Sequence, residues 1–527
     1  MEIVTDTIGG MLEKIAQAYP GREALIHSQK GTRYTYQLLF WQVDRAARGM
    51  LALGIKRGDH VAIWAANMPE WLVSMLAIAK VGAVFVPVDP GAESEDLKYI
   101  LDQAECVLLM VSGELAEKTV SIKTPSLKHI IVVSSGSERI GTVWPEMVEK
   151  GQKVRPETLK ETADAVLPDD PVAIMYTSGT TGKPKGVVVD HLGLINKSLC
   201  ATDRQKITQA DRLCLFFPLF HMFGNTCIAL SGLIRGAALV MPSETFDPSA
   251  VLETVAAEAC TAIYGSPAMF IALLEHKSFN KAHWQTVRTG IVGGAPCPMA
   301  LMKRLVEEVG VSELTVAYGI TETSSWITMT HPHDPISLRV GTIGTPLPCN
   351  EVKIVDPKTG EDQIPGDQGE LCIRGYLMKE YYHMPGATAA AIDRDGWFHS
   401  GDLGEMDQNG YFKITGRLKD VIVRDEREIF PVEVEECLYG HPEISEVQVF
   451  GVPHPEKGQE VAAWVKVKEK SRLNESSLAA FADAHMAKGM RPGYFKIVHE
   501  FPMTRSGKVQ KFALSELAEK EMKKDAP

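Results

Sequence analysis

At 527 residues the chain is too long for one hydrophobic core, so several subdomains are expected. Its 45% hydrophobic and 23% charged residues are ordinary for a soluble globular enzyme. A net charge of −12 argues against nucleic-acid and anionic-membrane partners while leaving room for a local basic funnel, and nine cysteines with no CxxC pair fit free thiols in a reducing compartment.

In chain order, residues Met1 to Asp6 have neither a basic region nor an apolar run, so no secretory signal is expected and a cytoplasmic location is. Val61 to Trp64 reads as a strand, Pro69 to Lys80 as a helix with proline in its first turn, and Ala83 to Val88 as the next strand. The most apolar stretch, Trp71 to Val88, carries Lys80 and glycine and proline interruptions; it predicts a buried helix and strand rather than an integral membrane segment. Ser94 is expected to cap a helix with Leu97, Ile100 and Leu101 inward.

Asp170 to Met175 and Val187 to Val189 read as buried strands flanking the most informative run, Tyr176-Thr-Ser-Gly-Thr-Thr-Gly-Lys-Pro-Lys-Gly186. Three glycines let the backbone N–H groups approach a ligand, four serine and threonine hydroxyls add donors, and two lysines add positive charge. The composition describes a polyphosphate cradle, with a flexible surface turn as the bland alternative. Gly179 and Gly182 are too close together for a P-loop, Pro184 follows Lys183, and the loop joins strand to strand instead of strand to helix.

Beyond it, Asp247-Pro248 starts a helix whose inner face is Val251, Leu252, Val255 and Ala256. Cys260 to Tyr264 is a strand, and Pro298 opens a helix with Leu301, Leu305 and Val309 on one side. This alternation predicts α/β architecture with mostly parallel sheets. Near residue 350 the texture changes to short strands at Val352 to Val355, Gly369 to Arg374 and Tyr411 to Ile414, a small antiparallel barrel or sheet ending near Arg417. A separate small unit follows, with a helix from Pro431, strands at Val447 to Val452 and Val461 to Val467, a helix near Ser476 to His485, and a charged tail from Glu516 expected to fray.

Four more motifs stand out. Tyr318-Gly-Ile-Thr-Glu-Thr323 sets a hydroxyl beside a carboxylate, the usual protein ligand for a nucleotide's Mg²⁺, though an acidic surface turn reads the same way. Ser400-Gly-Asp402 puts an aspartate in an expected turn, where it can accept two sugar hydroxyls or simply form the turn. Gly416-Arg-Leu-Lys-Asp420 lies at the texture change. Pro502-Met-Thr-Arg-Ser-Gly-Lys508 carries a lysine on a small-residue loop, where a lone lysine is ordinarily just solvated.

Taken with Phe217-Pro-Leu-Phe-His221, these motifs occur in the order of the ANL superfamily of adenylate-forming enzymes, which the chain resembles from about Arg22 to Leu514. The resemblance is to its acyl-CoA synthetase branch. It implies a large N-terminal domain over 1–417, built of two mostly parallel α/β subdomains and a β-barrel-like subdomain, and a small mobile α+β domain over 418–527 hinged at Lys419. It also implies ATP with Mg²⁺, coenzyme A as co-substrate, a small-molecule carboxylic acid, and a monomer or homodimer. In that scheme Thr177, Ser178, Gly179, Thr180, Thr181, Gly182 and Lys185 hold the β,γ-phosphates. Thr321 touches the α-phosphate and Glu322 the metal. Gly294, Ala295 and Pro296 with Tyr318 and Gly319 hold the adenine, Asp402 and Arg417 the ribose, and Lys508 bridges the acid and the α-phosphate.

His221 resembles the family's aromatic gate beside the acid, with a satisfied core histidine as its alternative. Gly319 stands where acetate-specific relatives carry tryptophan, so an acid larger than acetate (fatty, cyclic or aromatic) is expected, walled by Phe223, Ile320, Trp326 and Val340. The segment Phe216 to Gly224 lacks the aspartate of amino-acid-adenylating domains. One departure concerns the coenzyme A path: relatives usually have Gly-Gly where this chain has Asp425-Glu426, leaving an acceptor other than coenzyme A as an alternative.

Overall fold

The computed structural model describes residues 2–134, 140–177, 183–468, 471–503 and 509–525. Ser178, Gly179, Thr180, Thr181, Gly182 and Lys508 of the expected site lie outside the described residues. The chain divides into two compact units, Met1–Val352 with Ile373–Phe398, and Lys353–Cys372 with His399–Pro527.

The first unit holds two large sheets. One runs in the order Thr345–Pro346, Ser325–Met329, Glu313–Ile320, Thr289–Gly293, Ala262–Gly265, Arg212–Cys214, Ala238–Met241, Glu23–His27 and Thr32–Thr35. Its central strands are parallel, and Val292, Leu314 and Val316 pack against Val251, Phe270, Leu301, Met302 and Leu305 from covering helices. Each such fully buried aliphatic side chain contributes about 2 kcal/mol.

The other sheet runs Glu380–Tyr381, Lys185–Asp190, Pro171–Thr177, Val84–Val88, His60–Trp64, Leu108–Val111, His129–Val132 and Thr142–Val143. Helix Ser94–Gln103 covers it through Leu97, Ile100 and Leu101.

Helix Pro69–Lys80 forms where the sequence predicts it, with Pro69 in the first turn, Glu70 near its positive end and Lys80 near its negative end. Every side chain but Glu70 is buried, the mark of an interior helix. Lys80 tolerates burial because its ammonium pairs with Asp44 at 2.6 Å and lies 4.0 Å from the Phe40 ring centroid. Among the described residues no helix is long and apolar enough to cross a membrane.

Several local expectations shift. Ser94 is the first helical residue rather than the cap; Glu93 holds the cap position without a side-chain hydrogen bond, and Glu95 and Asp96 stabilise the first turn instead. On helix Pro248–Ala257, Asp247 does cap by accepting from Ser249 N–H, but Ala256 is exposed, and the inner face is Val251, Leu252 and Val255. The strand expected from Cys260 is Ala262–Gly265. The helix after Pro298 is α-helical only over Met299–Lys303 and widens to a π-turn over Arg304–Val309.

The second unit carries most of a four-stranded sheet, in the order Asn350–Val355, Gly369–Gly375, Phe398–Met406 and Phe412–Arg417. Its C-terminal part has a sheet in the order Arg427–Ile429, Ile422–Arg424, Gly458–Val467 and Ile444–His454, with Tyr494–Ile497 parallel to Gly458–Val467. Helices Pro431–Tyr439 and Glu475–His485 pack onto it through Val434, Leu438, Leu478 and Ala482. The tail does not fray at Glu516: helix Lys511–Asp525 buries Leu514 and Ala518 against Phe450 and Trp464. Its apolar positions are four residues apart, which was legible as a helical stripe but hidden among charges.

Candidate active site

The segment 178–184 joins two antiparallel strands, as its neighbours predict, but those strands run further than expected. Thr177 pairs with Lys185 and Tyr176 with Gly186, so these four residues belong to the ladder.

Beyond the parallel strands of the nine-stranded sheet, chain segments gather at the carboxyl ends, where open α/β sheets bind ligands. Strands Thr289–Gly293 and Glu313–Ile320 are in register, Gly293 opposite Ala317. Gly294, Ala295 and Pro296, exposed on one strand's end, therefore lie beside Tyr318 on the other. Gly294 takes φ +86°, a turn that suits glycine.

After Ile320 the chain makes a single 3₁₀ turn, Thr321–Thr323, and reverses into Ser325–Met329. Ser324 and Ser325 both adopt positive φ, 55° and 109°. The buried Thr323 hydroxyl ties this reversal to the Ile320 and Ser325 carbonyls at 3.0 and 3.1 Å. Strain of this kind costs on the order of 1–3 kcal/mol and is typical of functional turns; here it presents Thr321 and Glu322, both half-buried.

Gly319 has a different meaning from the one expected. A Cβ at this position would lie 2.3 Å from the Ser325 carbonyl oxygen and 2.9 Å from Trp326 Cα. The neighbouring strand, bulged at Tyr318/Gly319, fills that space. Glycine is required here for the close approach of two backbones, so its openness to a larger acid does not follow from the missing side chain alone.

Glu322 is held by a residue the motifs did not reveal. The Tyr381 hydroxyl donates to Glu322 Oε1 at 2.9 Å, and Lys185 Nζ stands 4.7 Å from the Tyr381 ring centroid. Among the described residues, Glu322 Oε2 accepts no hydrogen bond. A carboxylate with one oxygen committed and one open, next to the Thr321 hydroxyl, fits Mg²⁺, which takes few protein oxygens and keeps waters and phosphates.

Of the residues expected to wall the acid, His221, Phe223 and Trp326 come together with Phe217. Ring centroids are 5.6 Å apart for Phe217–His221, 4.5 Å for Phe217–Phe223 and 5.2 Å for Phe223–Trp326. His221 Nδ1 accepts from Phe223 N–H at 3.1 Å, so the neutral ring carries its proton on Nε2. Gly224 permits this fold-back: a Cβ there would sit 2.1 Å from the Pro218 carbonyl oxygen.

Trp326 is braced from behind by fully buried Lys197, whose ammonium donates to the Trp326 carbonyl at 3.2 Å and to Asn350. Burial pushes that lysine down to about 8. Ile320 is half-buried at the end of its strand. Val340 is partly buried and packs, like Ile336, against the core cluster that includes Leu301 and Met302.

In the second unit, Asp402 and Arg417 face each other across antiparallel strands, Arg417 Nε 2.6 Å from Asp402 Oδ1. The expected turn at Ser400–Asp402 is part of strand Phe398–Met406. Short polar contacts hold it there: Glu370 accepts from Gly401 N–H at 2.9 Å, and the Ser400 hydroxyl donates to the Leu371 carbonyl at 2.7 Å. Glu370 also meets His399 at 2.8 Å, and His399 meets Cys372 at 3.5 Å. Lys419 sits in the 3₁₀ turn Leu418–Asp420 directly after Arg417. Asp425 and Glu426 are the exposed central residues of a two-residue hairpin between paired Arg424 and Arg427.

The AMP-binding enzyme model matches residues 12–382, and the AMP-binding enzyme C-terminal domain model matches residues 433–508. The chain belongs to the AMP-binding enzyme family.

Among relatives of this AMP-binding enzyme, the YngI protein of Bacillus subtilis (strain 168) is 40% identical over 538 residues, covering 98% of this chain and 97% of that one. The mitochondrial medium-chain acyl-CoA ligase ACSF2 of Danio rerio is 33% identical over 541 residues, covering 98% and 89%. ATP-bound MatB from Rhodopseudomonas palustris superposes with a TM-score of 0.84 at 27% identity, covering 97% and 98%. The o-succinylbenzoate CoA synthetase of Bacillus subtilis, solved with its acyl-adenylate, gives 0.79 at 26%, covering 97% and 98%. The fold is thus that of the adenylate-forming enzymes, and the reaction is ATP-dependent conversion of a carboxylic acid through an acyl-AMP to its acyl-CoA.

Proposed function

We propose that this acyl-CoA synthetase acts on an acid larger than acetate, fatty, cyclic or aromatic, lodged against the Phe217–Phe223–Trp326 cluster beside His221. That cluster is the observation that carries the reading: three aromatic rings within van der Waals reach form an apolar wall suited to a hydrocarbon body. A relative named as a medium-chain acyl-CoA ligase and one solved with an aromatic acyl-adenylate support it.

In the proposed chemistry an oxygen of the acid attacks the α-phosphorus of ATP in line, and pyrophosphate leaves. Coenzyme A sulfur then attacks the acyl carbon, and AMP leaves. No protein nucleophile is needed, so the residues act by positioning and by neutralising charge.

Thr177, Ser178, Thr180, Thr181 and Lys185 would hold the β,γ-phosphates and Thr321 the α-phosphate. Gly294 to Pro296 and Tyr318 would flank the adenine. Asp402 and Arg417 would take the ribose, Arg417 sharing the carboxylate it already pairs with. Lys508 would stabilise the charge on the α-phosphate, and Lys419 would be the hinge for residues 418–527. Mg²⁺ held at Glu322 would neutralise the leaving phosphates. A cytoplasmic setting suits nine free cysteines.

The test is a panel of carboxylic acids from short linear to cyclic and aromatic, scored for coenzyme A-dependent AMP formation. Turnover with medium-chain, cyclic or aromatic acids, and little with acetate, is expected. A preference for acetate, or AMP formation indifferent to coenzyme A, would overturn the reading.

A further inference from the structure

Lys185 and Glu322 carry opposite charges, and each reaches the same side chain, Tyr381. The hydroxyl of Tyr381 donates to Glu322 Oε1 at 2.9 Å, while Lys185 Nζ lies 4.7 Å from the ring centroid. Neither charge is matched by the other: among the described residues Lys185 makes no ion pair, and Glu322 Oε2 accepts no hydrogen bond.

The backbone fixes this arrangement from three directions. The two-residue strand Glu380–Tyr381 pairs antiparallel with Lys185–Asp190, Tyr381 opposite Val187, and Tyr382 N–H donates to the Gly186 carbonyl at 2.8 Å. Met378 N–H donates to the Glu322 carbonyl at 2.7 Å, joining the same segment to the 3₁₀ turn. Tyr381 N–H is taken by the Thr388 hydroxyl at 2.9 Å.

We propose that Tyr381 is a positioning residue for ATP: its ring and hydroxyl keep Lys185 and Glu322 from neutralising each other, leaving the ammonium for phosphate and the carboxylate for the divalent cation. This rests on the assignment of Lys185 and Glu322 to those two partners. A direct Lys–Glu pair would close both positions before nucleotide arrives, because an ion pair of low exposure resists exchange with a ligand. An aromatic face satisfies the lysine more loosely, and a single neutral hydrogen bond occupies only one carboxylate oxygen.

Three variants of the full chain separate the possibilities: Tyr381→Phe, Tyr381→Leu and Glu322→Gln. Mn²⁺ binding is read by electron paramagnetic resonance with α,β-methylene-ATP present, nucleotide binding by calorimetry, and acyl-AMP formation by pyrophosphate release. Thermal melting confirms folding. Tyr381→Phe keeps the ring, so Mn²⁺ affinity should fall about tenfold while nucleotide affinity holds. Tyr381→Leu should weaken both, and adding Lys185→Gln to it should return Mn²⁺ affinity to the Tyr381→Phe level by removing the competing charge. Mn²⁺ affinity unchanged in Tyr381→Phe but lost in Glu322→Gln would overturn the proposal alone. Mn²⁺ affinity unchanged in Glu322→Gln would overturn the metal assignment beneath it as well.

Discussion

At the residue scale, Asp425 and Glu426 take φ +52° and +63°, both left-handed, in the two-residue turn between Arg424 and Arg427. That turn is of the type that favours Asn-Gly or Gly-Gly, and a side chain in the left-handed region costs roughly 1–2 kcal/mol, less for aspartate than for glutamate. The Gly-Gly of relatives therefore has a sufficient explanation in backbone geometry, and the charges in this chain are exposed. Glu426→Gly should raise stability by about 1 kcal/mol, seen as a higher urea midpoint with an unchanged slope, and leave the KM for coenzyme A as it was. A several-fold drop in that KM would show that the carboxylates do obstruct the thiol's path.

Glu322 and Tyr381 illustrate what single residues disclose. A carboxylate beside a threonine within a glycine-led turn signals phosphate chemistry by composition. Tyr381 belongs to a two-residue edge strand, too short for any alternation pattern, and meets Glu322 only through sheet pairing between segments far apart in the chain.

Among the elements, helix His191–Arg204 shows how a buried histidine couples folding to pH. Asp190 caps it by accepting from Gly193 N–H at 2.7 Å. His191 Nδ1 accepts from Ile8 N–H at 3.1 Å, fastening helix Ile8–Ala18, and among the described residues Nε2 is buried without a partner. Burial pulls this imidazole down to about 4. A group whose folded pKa is depressed is most stabilising above its unfolded value, near 6.5 for histidine. The folded state must stay neutral while the unfolded chain takes up a proton, so stability falls as pH drops from about 6.5 to about 4. The loss from this residue is on the order of 3 kcal/mol. Urea titrations at pH 7.5 and 5 should show it, and His191→Gln should flatten the difference; an equally steep dependence in the variant would refute the linkage.

Elements that begin with proline or a capping aspartate and carry a clear apolar stripe, such as Pro69–Lys80 and Pro248–Ala257, were legible from sequence to within a residue or two. Those set by tertiary contacts were not. The Ser400–Asp402 segment joins a strand because Glu370 and Leu371 supply partners from a neighbouring strand, and the charged C-terminal helix forms because Phe450 and Trp464 await its apolar face. Local propensity carries no record of either.

For the whole molecule, compactness and catalysis suggest different divisions. The compact second unit takes most of the four-stranded sheet together with the C-terminal chain, whereas the proposed reaction cuts at 417/418. The physical ground for that cut is the link itself. The 3₁₀ turn Leu418–Asp420 joins Phe412–Arg417, the last strand of one sheet, to Ile422–Arg424, a strand of another. Torsion changes there break neither ladder, as a hinge requires. The run at 176–186 was legible as a proposed phosphate cradle from its glycines, hydroxyls and lysines, and Lys508 only through the order of the motifs. The acid's identity was not, because an apolar wall is assembled from aromatic residues that serve equally well in a core.

Two substitutions test the cut by treating the half-reactions separately. Lys508→Ala should lower acyl-AMP formation by roughly 10²–10³, the cost of a lost preorganised donor, yet spare thioester formation from supplied acyl-AMP. Lys419→Pro fixes φ at the hinge and pushes Leu418 toward extended backbone. It should slow the thioester step by at least about tenfold with adenylation nearly intact, because in the proposed scheme only the second step requires the link to change conformation. If either variant depresses both half-reactions equally, residues 418–527 do not serve the two steps in turn, and Lys508 and Lys419 lose the roles proposed for them.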